Sequence, residues 1–352
     1  MKKKGVILAL LISLLVFTTG CGDKTLVCPD IPDAENTFFT DDGTLFVSGS
    51  QNIYKIHKES DGSYDAEPLL DESAGIAGMT VYNNFLYAVY SKISLNINYF
   101  EIIKESLANG DAFPEILNAI KNAVIDKKII VADLNMATLT FNKLCSLEET
   151  FIPNGIAVDS LGRLYVTDET FVPGGKIIRI TIDQDDIVKE VWMDQYSGSV
   201  SPNGIAIKND ILYFTDLDLS SLLFAKAIVK RVGIHQYDNN NSGAVTELYK
   251  RAGGLVMPFS LFDDLTTETI EGIGGVIVTD YNRGSLLFIE DKITTGELHY
   301  ETDGGLFESP SSVIRGVGPD FSTNQLLVTE KGLLMIDPYS DFGNKLVSVD
   351  IE

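Results

Sequence analysis

Residues 152–168 read IPNGIAVDSLGRLYVTD, and residues 201–216 repeat them as SPNGIAIKNDILYFTD. Each copy holds a short apolar segment, a turn built from Gly, Asn or Asp, and a second segment rich in Leu, Tyr, Val and Thr. Short alternating segments bounded by turn residues are typical of β-strands and not of helices. A repeat at this spacing indicates a fold assembled from similar units.

Four weaker copies of the unit flank this pair. They begin near residues 35, 77, 258 and 310 and lead to second segments at residues 43–47, 85–89, 275–280 and 325–329. Further strands follow in most units, and either residues 345–351 or residues 25–28 are expected to close the last one. Six units of four strands match a β-propeller, in which four-stranded blades surround a central channel. We therefore predict an all-β, six-bladed propeller over residues 35–352.

The Pro-Asn-Gly-Ile-Ala and Leu-Tyr-Val-Thr-Asp segments resemble the gluconolactonase and regucalcin family, with a more distant likeness to paraoxonases and strictosidine synthase. The pattern runs over residues 35–337 and is closest in the third and fourth units. The resemblance implies a metal at the channel mouth, held by a glutamate of the first blade and by asparagines at later blade starts. Carried over to this chain, these ligands are Glu35, Asn154 and Asn203.

Blade topology sorts the polar residues between the two faces of the ring. First strands start and second strands end on the same face, the top face, so Glu35, Asn154, Asn203, Asp216 and Asp280 are expected together there. Carboxylate and amide oxygens are the ligands that Ca²⁺ prefers. We predict that the first three residues bind Ca²⁺ or another divalent cation, with Asp216 or Asp280 as a catalytic base. The alternative is that these Asn and Asp side chains satisfy nearby backbone groups in turns.

The resemblance also implies an acidic ligand where the first strand of the fifth blade starts. We align Phe259 with that position and place Asp263 at the far end of the same strand, while Ala77 and Ser311 occupy the equivalent starts in the second and sixth blades. A phenylalanine cannot coordinate a cation. The predicted ligand set therefore has one carboxylate, and affinity for calcium falls as ligand charge falls.

A segment with helical periodicity interrupts the second unit. Apolar residues recur at spacings of three and four between Tyr99 and Val124. We predict a helical insertion over residues 98–126, which either covers the channel mouth or packs on the rim of its blade. His57, His235 and His299 are expected away from this mouth, so no histidine-based nucleophile is predicted.

The first 21 residues have the order of an export signal, with three lysines, an apolar run from Val6 to Phe17 and small residues before Cys21. The end of the signal resembles a bacterial lipobox. Residues 1–20 are therefore interpreted as a signal peptide, Cys21 as the lipidated residue and residues 21–34 as an anchor and linker. The resulting lipoprotein would face the periplasm or the cell surface, attached to the membrane through its lipid alone. The alternative is an ordinary secreted protein.

The net charge is −23, from 27 basic and 50 acidic residues. A surface of this charge repels nucleic acid and anionic lipid, so no nucleic-acid partner is expected. With Cys21 acylated, Cys28 and Cys145 either form a disulfide in an oxidising compartment or remain two separate thiols.

Two functions fit these observations. One is a non-catalytic propeller that binds a small molecule or a protein at its top face, and the other is a metal-dependent hydrolase of a lactone or small ester. Phe259 and the bulk of the insertion favour the binding module, because an apolar group at the mouth suits packing better than ion coordination. The fold itself does not decide, since propellers host both enzymes and scaffolds.

Overall fold

The computed structural model describes residues 23–93, 121–170, 173–183, 186–218, 225–238, 245–252, 260–292, 295–332 and 341–351. Within these ranges, 24 strands form six antiparallel sheets of four strands each. Each sheet is one blade, so the prediction of an all-β, six-bladed propeller is confirmed.

The first three blades take their strands in chain order. Blade 1 contains β2 (Thr37–Phe39), β3 (Leu45–Ser48), β4 (Ile53–Lys58) and β5 (Tyr64–Pro68). Blade 2 contains β6 (Gly75–Tyr82), β7 (Phe85–Ile93), β8 (Val124–Asp133) and β9 (Asn142–Ser146). Blade 3 contains β10 (Ile152–Val158), β11 (Leu164–Glu169), β12 (Lys176–Asp183) and β13 (Asp186–Met193).

The other three blades complete the ring. Blade 4 contains β14 (Pro202–Lys208), β15 (Ile211–Asp218), β16 (Lys226–Gly233) and β17 (Val245–Ala252), with the short helix α1 (Ile234–Asp238) after β16. Blade 5 contains β18 (Phe262–Ile270), β19 (Ile273–Asp280), β20 (Ser285–Asp291) and β21 (Gly296–Glu301). Blade 6 contains β22 (Pro310–Arg315), β23 (Gln325–Glu330), β24 (Lys345–Asp350) and β1 (Lys24–Cys28).

Tight hairpins join the first and second strands on the face opposite the top face. Blades 2, 4 and 5 turn through Asn83-Asn84, Asn209-Asp210 and Glu271-Gly272, and all six residues have positive φ. Two successive residues of positive φ give the turn geometry that matches the twist of the flanking strands. These turns fix the register of each hairpin, and thereby decide which residue of the first strand reaches the channel mouth.

Six apolar clusters form the core, one between each pair of neighbouring blades. Each cluster contains buried side chains of both blades. Examples for blades 6 and 1, 1 and 2, 2 and 3, 3 and 4, 4 and 5, and 5 and 6 are Leu327 and Leu45, Phe46 and Ile76, Val89 and Ile156, Trp192 and Phe214, Val229 and Leu265, and Phe288 and Val328. Burial of one side chain of this size contributes roughly 1.5–3 kcal/mol. Because each blade shares two clusters, the six interfaces form a closed ring.

The two ends of the described chain meet in blade 6. β1 pairs antiparallel with β24, so that Lys24 faces Val349 and Thr25 faces Ser348. Both candidate closing segments are therefore used, β24 as the third strand and β1 as the outermost one. Residues 24–28 thus form part of the last blade.

Several predicted features lie outside the described residues, namely the signal peptide, Cys21, Phe259 and most of the insertion over residues 98–126. The last part of that insertion is described: residues 121–123 are helical, and β8 starts at Val124. Among the described helices, none has both the length and the apolar character needed to cross a membrane.

The cysteines and histidines lie away from the channel mouth. Cys28 and Cys145 are free thiols, in agreement with the second of the two alternatives. Cys28 is buried in the cluster between blades 6 and 1, whereas Cys145 is partly buried between blades 2 and 3. His57 lies near the end of β4, the third strand of blade 1, with its Nε2 2.6 Å from Glu67 Oε2, and His235 lies in α1.

Candidate functional site at the channel mouth

A β-bulge near the start of the first strand shapes the channel in several blades. In blades 3, 4 and 5 the register shifts between Pro153 and Ile156, between Pro202 and Ile205, and between Phe262 and Leu265. A bulge leaves its extra residue outside the ladder and re-aims the side chain. The first residues inside these three bulges are Asn154, Asn203 and Asp263.

The position of Asp263 differs from our expectation. The sequence predicts it at the far end of its strand, but β18 begins at Phe262 and Asp263 lines the pocket at the channel mouth. The physical reason is the length of the first hairpin in blade 5: β18 has nine residues, and its turn falls at Glu271-Gly272. The acidic position of the fifth blade is therefore held by Asp263.

One pocket collects side chains from four blades. It is lined by Glu35, Asn36, Gly78, Asn154, Gly155, Asn203, Gly204, Asp263 and Asp264. We call Glu35, Asn154, Asn203 and Asp263 the mouth site, since they supply two carboxylates and two amides to this pocket. The three predicted metal ligands are thus brought together, and three further oxygen-bearing side chains, those of Asn36, Asp263 and Asp264, line the same pocket.

Hydrogen bonds orient both amides of the mouth site. The Asn203 Nδ2 donates to Asp263 Oδ1 over 2.8 Å, and the Asn154 Nδ2 donates to Glu169 Oε2 over 3.4 Å. Because each amide nitrogen is directed at a carboxylate, each amide oxygen remains as an acceptor for another partner.

Threonines of the second strands hold the backbone of the mouth site in place. Thr215 Oγ1 accepts the Gly204 N–H over 2.8 Å and donates to the carbonyl of Asp263 in the next blade over 2.7 Å. Thr329 repeats this link from blade 6 to blade 1 by donating to the Glu35 carbonyl over 3.1 Å. The Thr of the repeated Thr-Asp pair therefore joins neighbouring blades.

Glycine follows Asn203 because the next blade passes too close for a side chain. A Cβ at Gly204 would lie 2.4 Å from the Asp264 Cα and 2.6 Å from the Asp263 carbonyl oxygen. Gly155 is constrained in the same way by the Asn203 carbonyl oxygen, at 2.7 Å. In the Asn-Gly pair of the repeat, the asparagine thus supplies a side chain to the pocket, and the glycine lets the backbone of the next blade pass closely.

A lysine shares the mouth with these oxygens. Lys331 directly follows β23 in blade 6, and its ammonium is ion-paired with Glu35, with both side chains largely buried. Burial acts to lower the pKa of Lys331, but the Glu35 and Asp263 carboxylates outweigh it and raise that pKa above its ordinary value. Lys331 therefore carries its charge at neutral pH.

Three further carboxyls at the mouth have altered proton affinity. Burial is the main cause in each case: it raises the pKa of Glu169 to about 7, that of Asp264 to about 6 and that of Asp263 well above its usual range. Negative charge on Glu35 adds to all three shifts. Asp264 also accepts a hydrogen bond from Asn36 Nδ2 across the channel, at 2.7 Å.

Asp216 and Asp280, the predicted bases, are outside the pocket lining: Asp216 binds within its own blade, and Asp280 binds its own blade and also pairs with Arg251 of blade 4 at 3.5 Å. The Asp216 carboxylate accepts the N–H groups of Val200 and Ser201 and pairs with Lys230 at 2.6 Å. The Asp280 carboxylate accepts the Leu261 N–H over 3.1 Å. These contacts agree with the alternative that the Asp of each Thr-Asp pair satisfies backbone groups near a turn.

Four charged residues at the mouth were not predicted, namely Asp263, Asp264, Glu169 and Lys331. A usable signal for the last two exists, because each directly follows a Thr-acid pair, Thr167-Asp168 and Thr329-Glu330. The same position holds Leu217 in blade 4 and Tyr281 in blade 5. For Asp263, counting back along the hairpin from the Glu271-Gly272 turn would have given the register.

The donor set of the mouth site suits a hard divalent cation. Such ions bind several oxygen ligands, with carboxylates and amide carbonyls among those preferred. The described residues contain no group of three or more His, Cys, Asp or Glu side chains arranged to hold a metal. A cation at this site would therefore depend on the two asparagine amides as well as on Glu35 and Asp263.

Comparison with known proteins supports the fold. A scan of the sequence against protein-family models gives no match, and a search of curated proteins gives none either. Solved structures do match over nearly the whole chain. They include a gluconolactonase from Xanthomonas campestris, with 15% identity, a TM-score of 0.51, and coverage of 96% of this chain and 97% of that one.

Two further structures extend this comparison. The PQQ-bound aldose sugar dehydrogenase from Streptomyces coelicolor matches with 14% identity and a TM-score of 0.58, over 96% of this chain and 100% of that one. The major allergen Mala s 1 of Malassezia sympodialis matches with 11% identity and a TM-score of 0.53, over 95% and 97%. At such low identity these likenesses establish the propeller fold alone.

Proposed function

We propose that the mouth site binds a divalent cation of the Ca²⁺ type and that the chain is a metal-dependent hydrolase of a lactone or small ester. The observation that carries this proposal is the convergence of Glu35, Asn154, Asn203 and Asp263, from blades 1, 3, 4 and 5, on one pocket. Asp263 supplies the acidic ligand of the fifth blade, which the alignment with Phe259 left without a coordinating side chain. The main sequence argument against a complete ligand set is thereby removed.

The arrangement also supports membership of the gluconolactonase-like family. Each ligand type implied by the sequence resemblance has a counterpart at the matching blade start, a glutamate in blade 1, asparagines in blades 3 and 4, and an acid in blade 5. The likeness to the Xanthomonas enzyme is consistent with this assignment.

The residues of the pocket have separate roles in this proposal. Glu35, Asn154, Asn203 and Asp263 would hold the cation, which polarises a carbonyl and lowers the pKa of water when bound. Glu169 keeps the Asn154 amide oriented through its hydrogen bond, and Thr215 fixes the backbone of Asp263. Asp216 and Asp280 are engaged by backbone N–H groups and by Lys230 and Arg251, respectively, and are not proposed as bases.

Calorimetric titration with CaCl₂ tests the proposal, combined with a screen of lactone hydrolysis at neutral pH. We expect wild-type protein to bind one equivalent of Ca²⁺ and to lose hydrolysis on chelation. Glu35→Gln should lose both binding and turnover, whereas Glu67→Gln, which alters an exposed carboxylate on the rim of the same blade, should keep both. Absence of binding to the wild-type protein would refute the hydrolase.

A second candidate is the non-catalytic module that binds a small molecule or protein at the top face. The ion pair between Lys331 and Glu35 favours it, because the pocket already contains a positive charge of its own. Hydrolysis that depends on Ca²⁺ and disappears in Glu35→Gln would exclude this candidate.

We also propose that the propeller is held outside the cytoplasm by a lipid on Cys21. The order of charged, apolar and small residues before Cys21 supports this assignment. Incorporation of a labelled fatty acid in a bacterial host should be seen for wild type and lost in Cys21→Ser. Equal labelling of both proteins, or of neither, would rule out the anchor.

A further inference from the structure

Lys331 is anchored so that its side chain starts at the channel mouth. Its N–H donates to the Ser309 carbonyl over 3.0 Å, directly after the end of β23. The ammonium pairs with Glu35, and only 14% of the lysine side chain and 11% of the glutamate side chain are exposed. The backbone thus fixes the base of a long side chain whose charged end lies at the mouth site.

The charge of Lys331 acts on more than one carboxyl of the mouth. It lowers the proton affinity of Asp263 and of Glu169, in addition to its direct pairing with Glu35. Glu35 and Asp263 are the two carboxylates of the mouth site. The ammonium therefore neutralises the same charges that a divalent cation would need.

A lysine ammonium and a divalent ion cannot share these carboxylates without strong repulsion. Like charges within a few ångströms repel, and burial reduces the solvent screening that would weaken the effect. A lysine side chain has a flexible four-carbon stem, so its ammonium can move away from the carboxylates while its backbone stays in place.

We propose that Lys331 is a tethered counter-cation that competes with the divalent ion for the mouth site and sets its affinity. The inference rests on the proposed function, because it concerns the same ligands. Its consequence is that the site fills only where the free cation is abundant enough to displace the ammonium. Lys331 is accordingly a residue that tunes affinity, and it is not a metal ligand.

Calorimetric titration of the full-length chain with CaCl₂ tests this inference. Lys331→Met keeps the length of the side chain and removes the charge, and it should bind Ca²⁺ at least tenfold more tightly than wild type. Lys331→Arg keeps the charge and should stay within about threefold of wild type. Equal or weaker binding by Lys331→Met, measured beside a wild type that binds, would overturn the inference and leave the proposed function intact.

The other outcomes separate the two ideas. Binding by Lys331→Met without binding by wild type supports the counter-cation and removes the metal-dependent function, whereas absence of binding in both removes both. Should the methionine variant fail to fold, Lys331→Ala in the presence of propylammonium chloride replaces it. Added propylammonium should weaken Ca²⁺ binding to this variant and leave wild type unchanged, and an equal response of the two proteins would overturn the inference.

Discussion

The hydroxyl of Thr215 in blade 4 donates to the main-chain carbonyl of Asp263 in blade 5, over 2.7 Å. The same oxygen accepts the Gly204 N–H of its own blade. The buried Thr215 hydroxyl thus links the backbones of blades 4 and 5 at the channel mouth, as an acceptor to one and a donor to the other. The repeated Thr is therefore a positioning residue for the site, while the Asp beside it serves its own blade.

Replacement of Thr215 by Val should weaken both the fold and the site. The change leaves the Gly204 N–H and the Asp263 carbonyl without this partner, and loss of a buried hydrogen bond costs about 1–3 kcal/mol. We expect a lower free energy of unfolding in urea and weaker Ca²⁺ binding. Thr269→Val, on an exposed position of β18, is the matched control and should change neither.

Asp263→Asn tests the register of β18. This substitution keeps the shape and removes one of the two carboxylates of the mouth site, so Ca²⁺ affinity should fall at least tenfold because ligand charge falls. The neighbouring Asp264, which binds Asn36, provides the comparison. Titration calorimetry should show a smaller loss for Asp264→Asn. A larger loss of affinity in Asp264→Asn would show that Asp264, and not Asp263, is the acidic ligand.

Lys331→Met should destabilise the protein when no divalent cation is present. Glu35 would then be buried without its partner, and breaking a buried ion pair from one side costs roughly 3–5 kcal/mol. Addition of CaCl₂ should restore much of the melting temperature, since the ion binds the folded state. Melting curves with EDTA and with CaCl₂ measure this. A variant as stable as wild type in EDTA would contradict the buried ion pair.

Asp280 should make stability depend on pH. Burial raises its pKa from 3.8 to about 6 in the folded protein. The protonated form is therefore favoured by folding, so this contribution is complete below about pH 4 and is lost as the pH rises through 6. Roughly 2 kcal/mol of it should disappear between pH 4.5 and 7.5, at 1.36 kcal/mol per unit.

Urea unfolding of Asp280→Asn at the two pH values measures this contribution. The variant keeps an acceptor for the Leu261 N–H and lacks the titrating proton, so its stability should fall less than that of wild type over the same interval. Glu297→Gln, at an exposed carboxylate on β21, should follow wild type. Identical pH dependence of wild type and Asp280→Asn would show that another group is responsible.

Deletion of residues 24–28 tests the closure of blade 6. The change removes β1 and leaves β24 as an unpaired edge, so thermal unfolding should begin at lower temperature and lose cooperativity. Leu26→Ser is the control on the same strand, because the Leu26 side chain is 55% exposed and contributes little to the core. Calorimetric scans distinguish the two. A deletion variant that melts like wild type would mean that β1 is dispensable.

Much of the fold could be predicted from the sequence because the repeated motifs are easy to recognise in the units whose first hairpins are short. The units around Asn154 and Asn203 carry Asn-Gly starts and Thr-Asp ends at nearly constant spacing. Blade 5 has the same Thr-Asp end at Asp280, but its first hairpin is longer. A register taken from blades 3 and 4 therefore starts β18 too early and assigns to Phe259 the position that Asp263 holds.

The charged partners of the site were harder to predict for a physical reason. Glu169 is the last residue of a second strand and Lys331 directly follows one, and they reach the mouth because the ring brings six such strand ends together. Sequence distance gives no hint that Lys331 approaches Glu35, since the chain has passed through all six blades between them. Only the closure of the ring makes these two residues neighbours.

That closure makes the last blade depend on strands from both ends of the described chain. β1 is synthesised first among the described strands, yet its ladder partner is β24 (Lys345–Asp350), the last of them. A polypeptide that ends before β24, through a nonsense codon or a proteolytic cut, leaves β1 without its pairing strand and blade 6 incomplete beside blade 1. Unpaired strand edges of this kind are what chaperones and proteases act upon. The last blade therefore has its fourth strand only when β1 and β24, the first and last described strands, are both present.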